Sequence, residues 1–309
     1  MPKASEFIRQ GRNEELWQMC CGYIDLDVNE FMAVQERLLI NQLELLNKSK
    51  LGRKLMHGKS PRTLEEFRHM VPLTTYKDYV PELTEKMEDT LPEKPVLWAR
   101  SSGRSGDYPC KWIPLTKNFL EQLSISLFGV GTFAAARRRG DINVPYFPTV
   151  LYSVAPKPYI SGTFADCLNF ITNVEYLPNL EKAEKMTYEE RTSLGFQQAL
   201  YKGIDFFFGL SLVLVKVGEK LAENSGKVKI TPYLKHPRGL LRLVKGLVKS
   251  KLAGRPLMPK DIWKIRGIIG SGIDSWVYKE KIQELWGRRP LDLYSSTEGG
   301  VIASQTWDF

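Results

Sequence analysis

From Asp27 onward the apolar residues fall at intervals that a helix satisfies. Phe31, Val34, Leu38, Leu39, Leu45 and Leu46 recur with Gln, Arg and Glu between them, which predicts an amphipathic helix to about Lys50. Asp27 followed three positions later by Glu30 supplies a capping-box start. A second start is Thr63 ahead of Leu64-Glu65-Glu66-Phe67, with Glu66 as its partner, and Pro72, Pro81, Pro92 and Pro95 then cut the chain into short connectors.

The pattern changes at Val96. Residues 96–100 and 110–114 read as short strands on either side of a Ser/Gly loop, and Thr116 caps a long apolar helix to about Arg139. Residues 149–154 predict a buried strand. Further on, a strand at 265–270, a helix at 274–287 and a strand at 291–295 make a β-α-β pattern, which implies a parallel sheet. The longest apolar stretch, 206–215, is bounded by Asp205 and Lys216 and is too short to cross a bilayer, which takes about 20 helical residues. Its Phe206, Phe207 and Phe208 read either as the wall of an apolar pocket or as a buried helix face, and the helix face is the expectation.

Composition adds a charge argument. The 309 residues carry 44 Lys and Arg against 35 Asp and Glu, a net charge of +9, but the excess is local. Residues 216–266 hold fourteen Lys and Arg against Glu219, Glu223 and Asp261, a net +11 that leaves the rest at −2. Within 237–252, Leu240, Leu241, Leu243, Val244, Leu247, Val248 and Leu252 alternate with Arg242, Lys245, Lys249 and Lys251. Such a basic amphipathic helix either packs on a core with solvated lysines or lies on an anionic membrane surface. Nucleic acid is a third partner for so basic a segment, but no recognised nucleic-acid module accompanies the charge.

Cys20, Cys21, Cys110 and Cys167 form no C-x-x-C pair, and His57, His69 and His236 no ligand pair. That argues against a disulfide scaffold and a structural zinc site. With no apolar signal core after Met1, the expected setting is cytoplasmic, at most peripheral at a membrane.

Two loops carry candidate chemistry. Ser101-Ser102-Gly103-Arg104-Ser105-Gly106, with Lys111 five residues on, has glycines that let backbone N–H groups converge on an anion, hydroxyl donors, and a nearby cation. The same string also serves an ordinary hairpin. It lacks the G-K-[ST] of a Walker loop. Tyr294-Ser295-Ser296-Thr297-Glu298-Gly299-Gly300 follows a predicted parallel strand, at the edge where open α/β sheets bind ligands. A threonine hydroxyl beside a carboxylate there suits a phosphate oxygen and its Mg2+, and a plain strand-end turn is the alternative.

Taken in order, the Ser/Gly loop, Gly270-Ser271-Gly272 at the end of a strand, and Y-x-S-T-E-G resemble the motif set of the adenylate-forming superfamily of acyl-CoA ligases and luciferases. Phe67-Arg68, Val71-Pro72-Leu73-Thr74-Thr75-Tyr76, Lys111-Trp112-Ile113-Pro114 and Gln305-Thr306-Trp307 are most similar to the auxin-responsive Gretchen Hagen acyl-acid amido synthetase-like family.

The resemblance implies an α/β fold: the large N-terminal lobe of an adenylate-forming enzyme, with mixed and parallel sheets flanked by helices and a helical region over 1–95. It implies that a carboxylic acid is activated with ATP and Mg2+ as an acyl-adenylate, then transferred to an amine or to the thiol of coenzyme A. Ser101, Ser102, Gly103 and Ser105 would cradle phosphate, with Arg104 and Lys111 beside them. Gly270, Ser271 and Gly272 would border the adenine and Tyr294 would pack near it. Thr297 would bind the α-phosphate and Glu298 would hold the metal.

Two departures bear on this. Arg104 stands where the family usually has Thr, so its guanidinium either binds phosphate bidentately or obstructs the loop. The sequence also ends at Phe309, eleven residues after Glu298, whereas family members continue with a ribose-binding aspartate, a hinge and a small C-terminal domain. The expectation is therefore that residues 96–309 are an incomplete nucleotide-binding part without its C-terminal domain, a fragment with weak turnover or none.

Overall fold

The computed structural model describes residues 3–103, 108–225, 236–272 and 275–308. These divide into two compact units, one of residues 21–122 with 158–160, the other of 1–20, 123–157 and 161–309.

Helices α1 (Ala4–Gln10) and α2 (Asn13–Cys21) lead into α3 (Val28–Lys48). The predicted capping box is present: the Glu30 N–H donates to the Asp27 carboxylate at 2.8 Å, and the Asp27 N–H to Glu30 at 2.9 Å. Ser49 starts α4 (Lys50–Leu55) and Thr63 starts α5 (Leu64–Met70), each hydroxyl accepting an N–H from the first turn. Glu66 reaches back one residue further than expected, to the Arg62 N–H at 2.7 Å. The proline-rich stretch that follows forms only single turns, at Tyr76–Tyr79 and Glu88–Thr90. Strands β1 (Leu97–Arg100) and β2 (Trp112–Leu115) pair antiparallel, Leu97 opposite Leu115 and Arg100 opposite Trp112.

Thr116 caps α6 (Lys117–Ala135), its hydroxyl accepting the Phe119 N–H at 3.3 Å. The second unit is built on β3 (Thr149–Ser153), α7 (Ile160–Ile171), β4 (Glu175–Leu177), α8 (Leu180–Ala183) and α9 (Tyr188–Lys202). It continues with β5 (Phe206–Leu210), α10 (Ser211–Glu223), α11 (Pro237–Leu252), α12 (Pro259–Ile262) and β6 (Gly267–Ser271). A helical turn at Ser275–Tyr278, α13 (Lys279–Trp286), β7 (Leu291–Ser296) and β8 (Gly300–Ser304) complete it. The six strands lie in the order β4-β3-β5-β6-β7-β8, parallel except for β8, which runs antiparallel to β7.

Strands β3, β5 and β6 are near-continuous apolar runs, as parallel strands covered on both faces must be. Leu151, Phe207 and Ile268 join one core with Leu200, Leu214, Leu243 and Leu285. Strand alternation turns Val150, Tyr152, Phe206 and Phe208 to the opposite face. In the first core Trp263 and Trp286 stack at 5.5 Å, and their indole N–H groups are satisfied by the carbonyls of Ala199 and Leu214, which lets large amphipathic rings be buried.

Three expectations change. Phe206, Phe207 and Phe208 belong to a strand rather than to a helix face, because the run sits at the centre of the sheet and tertiary context overrides a short apolar run's ambiguity. The helix expected over 274–287 starts at Lys279 after a tighter turn, with Ile273 and Asp274 outside the described residues. Strands β4, β5 and β8 were not foreseen. Among the described residues no helix is long and apolar enough to cross a membrane.

Candidate nucleotide-binding edge and its apolar cleft

The carboxyl edge of the sheet gathers Ser153 from β3, Gly209 and Leu210 from β5, Gly270 and Ser271 from β6, and Tyr294 to Ser296 from β7. From β3 the chain adds β4 on one side and β5 on the other, so the topology reverses between β3 and β5, the arrangement that opens a ligand crevice outside the strand ends. The two downstream motifs of the sequence reading therefore end adjacent parallel strands on this edge.

At Gly270 an added Cβ would sit 2.7 Å from the Ser211 Oγ at the start of α10, so a larger residue there requires that hydroxyl to turn away. Ser211 is buried, and among the described residues its hydroxyl has no hydrogen-bond partner, so a polar ligand at this edge would satisfy an otherwise costly group. Gly272 has φ +121°, which L side chains rarely adopt. Tyr294 is 66% exposed, leaving its ring free to stack. Thr297, Glu298 and Gly299 form the turn joining β7 to β8. The Gly299 N–H donates to the Ser296 hydroxyl at 2.9 Å, and left-handed Gly300 (φ 64°) closes the hairpin opposite Ser296. The turn holds Thr297 half-buried and Glu298 exposed.

At the open end of the β7–β8 hairpin lies a polar network for which no spacing signal exists. Buried Lys279 pairs with Asp292 at 2.6 Å and donates to Gln305 at 2.9 Å. Ser275 donates to Asp292 at 3.0 Å, and Gln305 also accepts the Asp292 N–H at 2.9 Å. It ties α13 and the segment after β8 to β7. Gln305 and Trp307, quoted above as part of the resemblance, thus act in packing: Trp307 lies 5.6 Å from Trp17 and 6.2 Å from Phe133, centroid to centroid. A hydroxyl cluster at the end of β3 was also missed. Ser153 donates to the Tyr188 hydroxyl at 3.1 Å and shares a hydrogen bond with Thr192 at 3.2 Å. Only folding brings these three together, so no spacing signal exists for them.

The Ser/Gly loop belongs to the other unit. The Ser101 N–H donates to the Lys111 carbonyl, and the Ser101 Oγ accepts the Lys111 N–H, both at 2.9 Å. The hydroxyl keeps its own proton for donation, since Ser offers one donor and two acceptor sites. Ser102 is exposed. Gly103 has φ +72°, and a Cβ would meet the Pro109 carbonyl oxygen at 1.8 Å, so only glycine fits. Lys111 places its ammonium 5.6 Å from the Tyr76 ring centroid. Tyr76 accepts the Trp112 N–H at 2.9 Å, which fixes the ring beside β2. Arg104 and Ser105 lie outside the described residues.

An apolar cleft opens on the sheet face that carries Phe206 and Phe208. Its walls include Phe128 and Gly131 of α6, Phe164 and Leu168 of α7, Ile269 of β6 and Leu293 of β7. It encloses about 590 Å³ of empty space, open solvent at its mouth included, with a narrow centre of about 60 Å³. Phe208, Ile269 and Leu293 are each followed in sequence by an edge residue, Gly209, Gly270 and Tyr294, so the cleft abuts the carboxyl edge. Among the described residues no charged side chain lines it.

Among the described residues there is no cluster of three His, Cys, Asp or Glu. A Mg2+ ion needs none: it keeps several waters and is commonly held by one or two carboxylates plus substrate phosphates, a demand that exposed Glu298 fits.

No curated protein matches the chain. The model of the GH3 family N-terminal domain matches residues 22–142, the stretch that contains α3, the β1–β2 hairpin and its Ser/Gly loop, and α6. GH3 family proteins are adenylate-forming ligases that use ATP. Over residues 22–142, then, the chain is similar to the GH3 family N-terminal domain.

Proposed function

We propose that the chain binds ATP and adenylates a carboxylic acid whose tail is apolar. The observation that carries this reading is the abutment of an apolar cleft on a sheet edge that ends in Gly270-Ser271-Gly272 and in the Tyr294–Glu298 turn.

In this reading a carboxylate oxygen of the acid attacks the α-phosphorus, and the bond to the bridging oxygen breaks to release pyrophosphate. The Thr297 hydroxyl donates to an α-phosphate oxygen as charge accumulates there, and the resemblance gives Ser101, Ser102, Gly103, Arg104, Ser105 and Lys111 a part in phosphate binding. Glu298 would hold Mg2+, which when bound would offset phosphoryl charge. Gly270, Ser271, Gly272 and Tyr294 accommodate the base. The apolar cleft takes the tail, where each methylene removed from water contributes about 0.8 kcal/mol. An amine or the thiol of coenzyme A then attacks the acyl carbon, forming an amide or thioester and releasing AMP.

The test is ATP–pyrophosphate exchange over a series of straight-chain and aromatic acids, with direct measurement of nucleotide binding. Loss of the Thr297 donor is expected to lower exchange about 10²- to 10³-fold, and Glu298→Ala to abolish it. A chain that binds no nucleotide under any acid would sink the proposal.

A second reading has its own observation. The inward face of α11 is made of Gly239, Leu243, Gly246 and Ser250. Leu241, Val244, Val248 and Leu252 lie on the opposite, outward face, between 39% and 83% exposed, flanked by Arg238, Lys245, Lys249 and Lys251. Four aliphatic side chains displayed to solvent among cations suit an anionic lipid surface. Vesicle flotation tests it: at about 1 kcal/mol per cation, replacing Lys245, Lys249 and Lys251 by Gln is expected to weaken binding about 100-fold. Equal flotation of both proteins would exclude this use of the helix.

A further inference from the structure

At the amino ends of the same strands lies a cleft that the adenylation reading does not use. It holds about 490 Å³, and six cations line it: Arg137, Lys202, Arg242, Lys264, Arg266 and Arg288. Among the described residues Asp205 is the one carboxylate in its wall.

Four of the six have structural work. Arg266 pairs with Asp205 at 3.1 Å, and Lys202 pairs with Glu175 outside the cleft. Arg242 donates to the carbonyls of Leu200, Tyr201 and Lys202 at the end of α9, and Arg288 to those of Ala134 and Ala136 at the end of α6. Such bonds satisfy helix ends and meet only the partial negative charge of the dipole. They leave both guanidiniums without a carboxylate.

Arg137 and Lys264 do neither. Both are exposed, and among the described residues neither has an ion-pair partner. Asp141 accepts the Arg137 main-chain N–H at 3.0 Å. Burial, and then the positive charge of Arg137, lowers the pKa of Arg288, with Asp141 opposing only in part. Like charges are therefore held together here at a cost that an anion would relieve.

We propose that this cleft is a binding site for a small polyphosphate-bearing anion, with Arg137 and Lys264 as the residues that recognise it. The guanidinium fork matches phosphoryl oxygens bidentately. The volume falls in the range of small-ligand pockets, about 300–1,000 Å³. Strand β6 runs from Gly267 beside the cleft to Ser271 at the other edge, a span of roughly 13 Å at 3.3 Å per residue, so a ligand here is separate from one at Thr297 and Glu298. The source is taken to be a soluble phosphate compound, because the cations line a concavity; phosphate of a lipid headgroup is tested alongside.

The experiment is calorimetric titration with inorganic pyrophosphate of the wild type, the double variant Arg137→Gln/Lys264→Gln, and Glu298→Ala, with urea denaturation of each. Expected is a pyrophosphate site that persists in Glu298→Ala and weakens at least tenfold in the double variant, whose unfolding midpoint stays unchanged because both side chains are exposed. Unaltered binding by the double variant would overturn the proposal, as would the absence of any pyrophosphate binding. In a parallel arm, retention on phosphatidic-acid vesicles without pyrophosphate binding also overturns it, since the outer surface of α11 would then be the phosphate reader.

Discussion

The same substitution at two helical glycines is expected to have different effects. Gly131 of α6 and Gly218 of α10 are both interior helix positions, and replacing either by Ala gains about 1 kcal/mol in helix propensity. At Gly131 an added Cβ meets nothing within 4 Å, because the residue lines the apolar cleft, and the gain is kept. At Gly218 the Cβ would lie 2.7 Å from the Leu285 Cδ1 and 3.2 Å from its Cβ and Cγ. Leu285 is 2% exposed, packed in the core. Overpacking of this kind costs about 1–3 kcal/mol, so Gly218→Ala is neutral to destabilised by about 2 kcal/mol. Urea denaturation at constant slope reads the difference as a midpoint shift. Gly131→Leu extends the logic to binding: a side chain filling the space of about three acid methylenes removes about 2.4 kcal/mol, close to 50-fold in affinity for the longest acid tolerated. Equal shifts for the two alanine variants, or destabilisation by Gly131→Ala, would refute the packing assigned to the cleft.

Other expectations follow from the same geometry. Lys279→Met leaves Asp292 without its cation and is expected to cost about 2–3 kcal/mol in urea denaturation, less than a fully buried pair because Asp292 is about one-third exposed; a loss under 0.5 kcal/mol would mean the network does not hold β7. Burial alone would raise the Asp261 pKa, but hydrogen bonds from Arg255 at 2.7 and 2.8 Å and from the Met258 N–H, with the charges of Arg255 and Lys249, hold it below the usual carboxylate range. Its stabilisation is therefore present above the unfolded value of about 3.9 and lost as pH falls through the lower folded value. Asp261→Asn should be less stable than wild type at pH 6, with the gap closing towards pH 3. Burial pushes the thiols of Cys20 and Cys167 up to about 12 and about 11, and Cys21 is fully buried. A maleimide at pH 7.5 is thus expected to label Cys110 first, as mass spectrometry of the peptides would show.

Much of the local structure was legible. Asp27, Thr63 and Thr116 start helices as read, since a cap depends on residues three apart. The β6-α13-β7 unit was also readable, because each element carries its own pattern. Phe206 to Phe208 were not: three consecutive apolar residues have no period, and only the pairing of β5 between β3 and β6 decides that they are strand and that Phe207 faces away from its neighbours. The basic segment was readable as one amphipathic helix, but not the division of its apolar residues between an inward face of small groups and an outward aliphatic stripe.

The site divides in the same way. Sequence alone determined that the Ser/Gly loop around Gly103 lies between two short strands and that hydroxyls and a carboxylate stand at a strand end, because those are properties of short strings. Tertiary structure alone decided that Ser153 meets Tyr188 and Thr192, that Ser211 lies beside Gly270, and that six cations from distant segments share one cleft. The physical reason is that side chains far apart in the chain interact only after the sheet's strand order brings them together, and that order is set by burial of the whole core.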